Sequence, residues 1–247
     1  MKRQLINALK KIAKRIKFLY LSLGSSKECP ICKWTGHSFS RCFLPNKPAV
    51  SRICPSCGSF ERHRLAYFML KGCLSNYSGR TLHLAPERCI EPWLRSISKE
   101  YLSIDLCSPN ALLHMDITNL ALDDNSFSLL WCSHIFEHIE DDGKAMKELF
   151  RVMKPNGLAI VMVPIYGETT YEDPSIILPA ERLKHFKQKD HVRLYGRDIR
   201  KRLTGVGFNV KVLSVSDLPK DSVVRYMLEY PSTKEVFLCA KQKVGAK

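Results

Sequence analysis

Two cysteine pairs carry the clearest chemistry in this 247-residue chain: Cys29-Pro30-Ile31-Cys32 and Cys54-Pro55-Ser56-Cys57-Gly58, with 21 residues between them. Four thiolates at two Cys-x-x-Cys spacings suffice to close a tetrahedral shell around Zn²⁺. Proline after the first cysteine and glycine after the last suit the tight turns such a shell needs. The gap slightly exceeds the usual ~15–20 residues, and His37 and Cys42 lie inside it as candidate substitute ligands. Redox chemistry of the thioredoxin kind is the competing reading; it expects a single Cys-x-x-Cys beside a βαβ unit. Four protein ligands leave no open coordination position. Cys29, Cys32, Cys54 and Cys57 are therefore assigned to a structural zinc rather than a catalytic one. The remaining six of the ten cysteines are scattered, several in apolar runs, as small buried hydrophobes are. With no secretory signal pattern, this usage points to the reducing cytoplasm.

A second set of chemically capable residues follows: Asp105, Asp116, the run Ser133-His134-Ile135-Phe136-Glu137-His138, and Asp190-His191. Short apolar runs predict strands over 81–85, 101–105, 111–115, 127–133, 158–163, 209–213 and 235–240. Helices are predicted near 88–97, 142–153, 179–186 and 197–203. In the second of these, Ala145, Met146, Leu149, Val152 and Met153 form an apolar stripe that ends at Lys154-Pro155-Asn156-Gly157. Such alternation predicts an α/β fold, a parallel sheet with helices on both faces. Ligands of such folds bind beyond the carboxyl ends of the strands. Asp105 lies where a nucleoside-binding α/β fold places an acid for the ribose hydroxyls, about 20 residues past the first strand. Any one acid at a strand end is an ordinary cap or turn former; the succession of strand and acid is the stronger signal.

From about residue 80 to 245 the chain resembles the class I S-adenosylmethionine-dependent methyltransferases, type 11-like. The resemblance rests on Met115-Asp116-Ile117-Thr118, Leu122-Asp123-Asp124-Asn125-Ser126-Phe127, His134-Ile135-Phe136-Glu137-His138, and Glu148-Leu149-Phe150-Arg151-Val152-Met153-Lys154-Pro155-Asn156-Gly157. Gly207-Phe208-Asn209-Val210 resembles the entry to the family's last hairpin. The resemblance implies a Rossmann-like seven-stranded sheet and S-adenosyl-L-methionine as methyl donor. It implies that Asp105 holds the ribose, that Asp116 and Ile117 face the adenine, and that Ser133 and His134 line the methionine side. The family's first strand runs into a glycine-rich loop. Here the matching stretch is His83-Leu84-Ala85-Pro86-Glu87-Arg88, without glycine. His83, Ala85 and Glu87 become the candidate cofactor contacts, Glu87 for the donor's amino group. Alanine partly serves where glycine brings backbone close to a ligand, whereas proline fixes φ and removes a donor.

An oxygen acceptor needs a base of near-neutral pKa, for which His138 and His191 are the candidates. A helix cap or a structural hydrogen bond is the plain alternative for each. Aromatics and acids around Tyr166, Tyr171-Glu172-Asp173 and Tyr195 suit a polar, ring-bearing acceptor. The expected function is a methyltransferase acting on a small-molecule or glycan-type acceptor. The alternatives are an RNA methyltransferase gripping RNA with its zinc module and basic arm, and a non-catalytic binding protein on the same scaffold.

Composition places these parts. The chain has 39 Lys+Arg and 24 Asp+Glu, a net charge of +15, with 45% hydrophobic and 26% charged residues, an ordinary globular make-up. Residues 1–71 hold 15 basic residues against two acids, and residues 72–247 hold 24 against 22. Nearly all the excess is thus N-terminal. Residues 2–23 contain no acid, and Leu5, Leu9, Ile12, Ile16, Leu19 and Leu23 share one helical face with lysines opposite. This basic amphipathic helix suits an anionic surface such as the inner face of a membrane, or packs its apolar face on the protein itself. It is too interrupted by lysine to span a bilayer. The expected domains are the helix (1–24), a zinc-ribbon-like module (25–72) and the methyltransferase domain (73–247). Arg62-His63-Arg64 reads either as an anion or RNA contact or as the solvated first turn of a helix.

Overall fold

The computed structural model describes residues 2–42 and 50–242. The chain divides into two compact units: residues 1–71 with 215–230, and residues 72–214 with 231–247. The segment 215–230, read from the sequence as part of the large domain, therefore groups with the N-terminal unit.

The first unit opens with helix α1 (Lys2–Leu21). Its apolar stripe is not packed: Leu5, Leu9, Ile12, Ile16 and Leu19 are all more than half exposed. Only Leu21 is buried, in a small core with Cys29, Trp34, Phe39 and Cys54, against which Met227 packs. Gly36 sits against α1 so closely that a Cβ there would lie 2.1 Å from the Leu21 carbonyl. Two short hairpins follow, Lys27–Glu28 with Thr35–Gly36 and Ser40–Cys42 with Val50–Ile53. Helix α2 (Glu61–Leu70) completes the N-terminal part.

The expected solvated turn at Arg62-His63-Arg64 is corrected here. Glu61, His63 and Arg64 are buried. The Arg64 guanidinium donates to the carbonyls of Ser59 (2.6 Å), Tyr226 (2.8 Å), Met227 (2.9 Å) and Arg52 (3.1 Å). It thereby ties the stretch after helix α7 (Lys220–Tyr226) to the cysteine core. Lys27 reaches the Val224 carbonyl, and Arg225 pairs with Glu28 at 2.8 Å. These long-range bonds are why 215–230 belongs to this unit.

The second unit is built on seven strands: β1 (Arg80–Leu84), β2 (Glu100–Asp105), β3 (Leu113–His114), β4 (Phe127–Ser133), β5 (Met153–Met162), β6 (Asn209–Ser214) and β7 (Glu235–Ala240). Their order across the sheet is β6-β7-β5-β4-β1-β2-β3. β1 to β5 pair in parallel, and β7 runs antiparallel to both neighbours. This is the expected Rossmann-like methyltransferase sheet. Helices α3 (Glu91–Ile97), α4 (Asp142–Val152) and α6 (Ile199–Val206) pack against it, and α5 (Pro179–Phe186) lies in the excursion after β5. The α4 stripe Ala145, Met146, Leu149 and Val152 is fully buried with Leu84, Leu130, Val161 and Phe237.

Boundaries differ locally. β5 starts at Met153, earlier than expected, because Met153 pairs with Phe127 through an irregular register and Asn156 donates to Lys241. β3 keeps only two residues. α3 starts at Glu91 because residues 85–90 form the loop discussed next. Arg151 braces the β3–β4 connection: its guanidinium donates to the Leu120 and Leu122 carbonyls and to Asp124 and Glu148.

Candidate functional site

The strand order reverses between β1 and β4, and ligands of open α/β sheets bind beyond the carboxyl ends of the strands at such a switch point. The residue just past each strand is left-handed: Ala85 has φ 47° and His134 has φ 57°. Ala85 thus takes the backbone path that glycine usually supplies, and its N–H is anchored on the Ile104 carbonyl of β2 at 2.8 Å. Glu87 turns inward. Its Oε2 accepts from Trp131 Nε1 (3.1 Å) and meets His83 Nε2 (2.7 Å), while His83 Nδ1 meets the Tyr101 hydroxyl (2.8 Å). The ring of His83, an expected cofactor contact, is fully buried, and both its nitrogens are engaged. Its place is to hold the glycine-free loop through Glu87.

Asp105 ends β2. Its Oδ1 accepts from the N–H groups of Cys107 (2.9 Å) and Ser108 (2.7 Å). Asp116 similarly uses Oδ1 to accept from Thr118 N–H at 2.8 Å, and Ile117 beside it is buried in the core. At the end of β4, Ser133 Oγ and His134 Nε2 are buried without a hydrogen-bond partner. Unsatisfied buried polar atoms are rare and call for a ligand or water. Their position beside left-handed Ala85 and His134 fits the methionine part of S-adenosylmethionine, and Asp105 fits its ribose.

Behind His134, the turn Phe136–His138 gathers a second cluster. His134 Nδ1 lies 3.1 Å from Glu137 Oε1. The rings of His138 and His191 meet edge-to-face at 4.8 Å. The stretch holding His191 is strapped to this turn. Val192 N–H donates to the Glu137 carbonyl (2.9 Å), and the Arg193 guanidinium donates to the carbonyls of Phe136, Ile139 and Glu140. Burial pulls His191 below the ordinary imidazole range. Burial opposes ionisation of Glu137. The charge and hydrogen bond of His134, with help from backbone N–H and His138, outweigh this and hold it below the usual carboxylate range. The spacing His-x-x-Glu-His was legible, but Glu137 was not singled out; its burial is what makes it chemically unusual.

The region expected to receive the acceptor is partly structural. Tyr195 is fully buried and donates to Asp142, so it is no acceptor contact. A cavity of about 270 Å³ beside the hairpin Tyr171–Glu172/Arg193–Leu194 is lined by charges already paired, among them Arg202 with Glu172 and Arg182 with Glu140. Tyr166 and Tyr171 remain exposed.

In the first unit the four expected cysteines converge. Cys29 and Cys57 Sγ atoms lie 3.7 Å apart, Cys32 and Cys54 3.6 Å, and all four within 4.8 Å. These spacings are far beyond a disulfide at ~2.05 Å. They match the ~3.8 Å edge of a tetrahedron with Zn–S bonds of ~2.3 Å. Neither His37, whose ring packs on Tyr20, nor Cys42 belongs to the cluster. Hydrogen bonding to Cys29, then Cys54 and Cys57, holds the Cys32 thiol far below its ordinary range. The neighbours Cys29, Cys32 and Cys57 hold Cys54 far above. Four crowded sulfurs cannot all ionise without a cation. Ser59 contacts Cys29 and Cys57, and the field of Cys29, Cys54 and Cys57 acts on buried Arg64, a cation well placed to offset a doubly negative zinc–thiolate centre.

Residues 78–161 match a family described as a methyltransferase domain. The second unit has the Rossmann-like methyltransferase fold. Its fold is shared by several solved structures. YcgJ from Bacillus subtilis superposes with a TM-score of 0.51 at 13% identity, over 73% of this chain and 100% of that one. The [4+2]-cyclase SpnF gives 0.54 at 15%, over 74% and 82%. A Burkholderia thailandensis 1,6-didemethyltoxoflavin-N1-methyltransferase, bound to its substrate and S-adenosylhomocysteine, gives 0.52 at 12%, over 74% and 79%. At these identities the likeness is one of fold, and the cyclase among them shows that fold alone does not decide the reaction. No curated protein matches the chain in sequence.

Proposed function

We propose that this chain is an S-adenosylmethionine-dependent methyltransferase acting on a small-molecule or glycan-type acceptor. The observation that carries the reading is the pair of left-handed residues, Ala85 and His134, flanking the switch point of a methyltransferase sheet with Asp105 alongside. S-adenosylmethionine, when bound, supplies a methyl carbon activated by its sulfonium. The protein supplies position. Asp105 Oδ2 receives ribose hydroxyls, Asp116 and Ile117 border the adenine, and Ser133 and His134 meet the methionine end. The His83–Glu87–Trp131 network holds the loop that approaches the cofactor. The cluster Glu137, His138 and His191 handles the acceptor's proton. Alignment of donor and nucleophile then accounts for most of the rate.

The glycine-free loop motivated the non-catalytic alternative. Left-handed Ala85 weakens that motive, because the backbone follows the glycine path regardless. The RNA alternative loses two cations of the zinc module, since Arg64 is buried and Arg52 is buried in a pair with Glu61, and is left with the exposed lysines of the basic arm. In the first unit the cysteine geometry supports a structural Zn²⁺. The exposed apolar stripe of α1, with lysines opposite, supports contact with an anionic membrane surface and hence a peripheral, cytoplasmic location. Among the described residues no helix is long and apolar enough to cross a membrane.

Calorimetry of zinc-loaded protein with S-adenosylmethionine and S-adenosylhomocysteine tests the main reading. Binding of both, weakened at least tenfold by Asp105→Asn, is expected. No binding of either sinks it.

A further inference from the structure

We propose that Glu137, His138 and His191 hold a divalent first-row transition metal ion, which receives a hydroxyl oxygen of the acceptor. The proposal rests on the methyltransferase reading only for the ion's role, and on the cluster's own geometry for its existence.

One donor atom from each of the three residues lies within 4.8 Å of the others. Glu137 and His191 are each 1% exposed. Both ring nitrogens of His191 and Oε2 of Glu137 are buried with no partner in hydrogen-bond geometry among the described residues. The Phe186 backbone lies near the imidazole without reaching hydrogen-bond geometry. Orphaned polar atoms on two facing side chains are costly, and native proteins rarely keep them unless something binds there. A cation satisfies an imidazole nitrogen and a carboxylate oxygen together.

The surroundings are those of a metal site. His134 holds the other carboxylate oxygen of Glu137, and Asp190 holds His138 Nδ1 through its carbonyl (3.2 Å) and carboxylate (3.3 Å). Such outer partners orient ligands and set their basicity. The three ligands come from a short turn and from the stretch before Arg193–Leu194, strapped to it by Val192 and Arg193, so little movement is needed to close the shell. Two imidazoles and one carboxylate suit Mn²⁺, Fe²⁺, Co²⁺ or Zn²⁺ and leave coordination positions open. A hydroxyl on the ion loses its proton to water at lower pH than a free one. The ion thus replaces His138 or His191 as the agent that readies an oxygen nucleophile.

The test uses full-length protein with one zinc at the cysteines and loosely bound metal removed. Mn²⁺, which the cysteine site disfavours, is titrated in and free ion is followed by electron paramagnetic resonance, with Co²⁺ absorption as a second probe. One ion per chain is expected in the wild type. His138→Gln, at the partly exposed ligand, and Glu137→Gln each weaken binding at least tenfold while zinc content holds. If neither probe binds beyond the cysteines, water alone satisfies these atoms and the proposal is overturned. Equal binding by the variants overturns it too. Should a variant fail to fold, the wild-type stoichiometry still decides. Calorimetry with S-adenosylmethionine on the same sample separates the two readings: metal binding without cofactor binding removes the methyltransferase role and leaves the site.

Discussion

Ala85 and His134 share one backbone conformation, φ 47° and 57°, each a single residue beyond the two strands that flank the switch point. The left-handed region costs a non-glycine residue about 1–2 kcal/mol. Ala85→Gly relieves that strain and returns part of it through a freer unfolded chain. The expected outcome is a stability change within about 1 kcal/mol, with cofactor affinity kept. Ala85→Val, β-branched at the same φ, loses both. Denaturant titration and calorimetry check this pair, and a strongly destabilised Ala85→Gly contradicts it.

Chelation of zinc is expected to open the first unit at both of its sequence ends. Residues 215–230 belong to the unit built on the cysteine core, through Arg64 to Tyr226 and Met227. Trypsin should gain access at Lys220 and Arg225 together with the α2 region on removing the metal. Protection of 215–230 in the apo-protein would argue against this coupling.

Arg64→Met removes a buried cation and a donor from four carbonyls, of which Ser59 keeps the Cys54 N–H. A loss of about 3 kcal/mol or more is expected, since each buried unsatisfied group costs ~1–3 kcal/mol. Arg64→Lys rescues the charge but not the planar fork, and recovers only part. Chemical unfolding and zinc content read the effect.

Glu148 gives a pH signature. Its hydrogen bonds to Arg151 hold its carboxyl below the usual range. A depressed carboxylate stabilises the fold fully above its unfolded pKa of about 4.3 and loses that contribution as pH falls through the folded value. Glu148→Gln should therefore lower stability at neutral pH and flatten the acid limb below about pH 4. Parallel acid limbs would contradict the assignment.

For α1, Ile12→Glu with Ile16→Glu should abolish sedimentation with anionic vesicles and change stability by no more than about 0.5 kcal/mol per site, since both side chains are exposed. Truncation is a poorer test, because Leu21 belongs to the cysteine core.

What the sequence determined by itself is what depends on local spacing. Period-two and period-3.6 patterning placed β4, β7, α4 and α5 closely, since their buried faces are written in consecutive residues. The two Cys-x-x-Cys pairs named all four converging sulfurs, because two tight turns dictate where their thiols point. The acids Asp105 and Asp116 were legible as strand-end residues. Only the tertiary structure decided the rest. Arg64 is a buried anchor rather than a surface cation because its acceptors lie at Tyr226 and Met227, far along the chain. His83 is tied to Tyr101 and Glu87 through both its nitrogens, partners that lie on neighbouring elements. Ala85 does glycine's work because β1 and β2 hold its backbone there, a conformation no side-chain type announces. His191 joins Glu137 and His138 because backbone and guanidinium bonds draw a distant strand onto one short turn, and such non-local pairing leaves no periodic mark in the sequence.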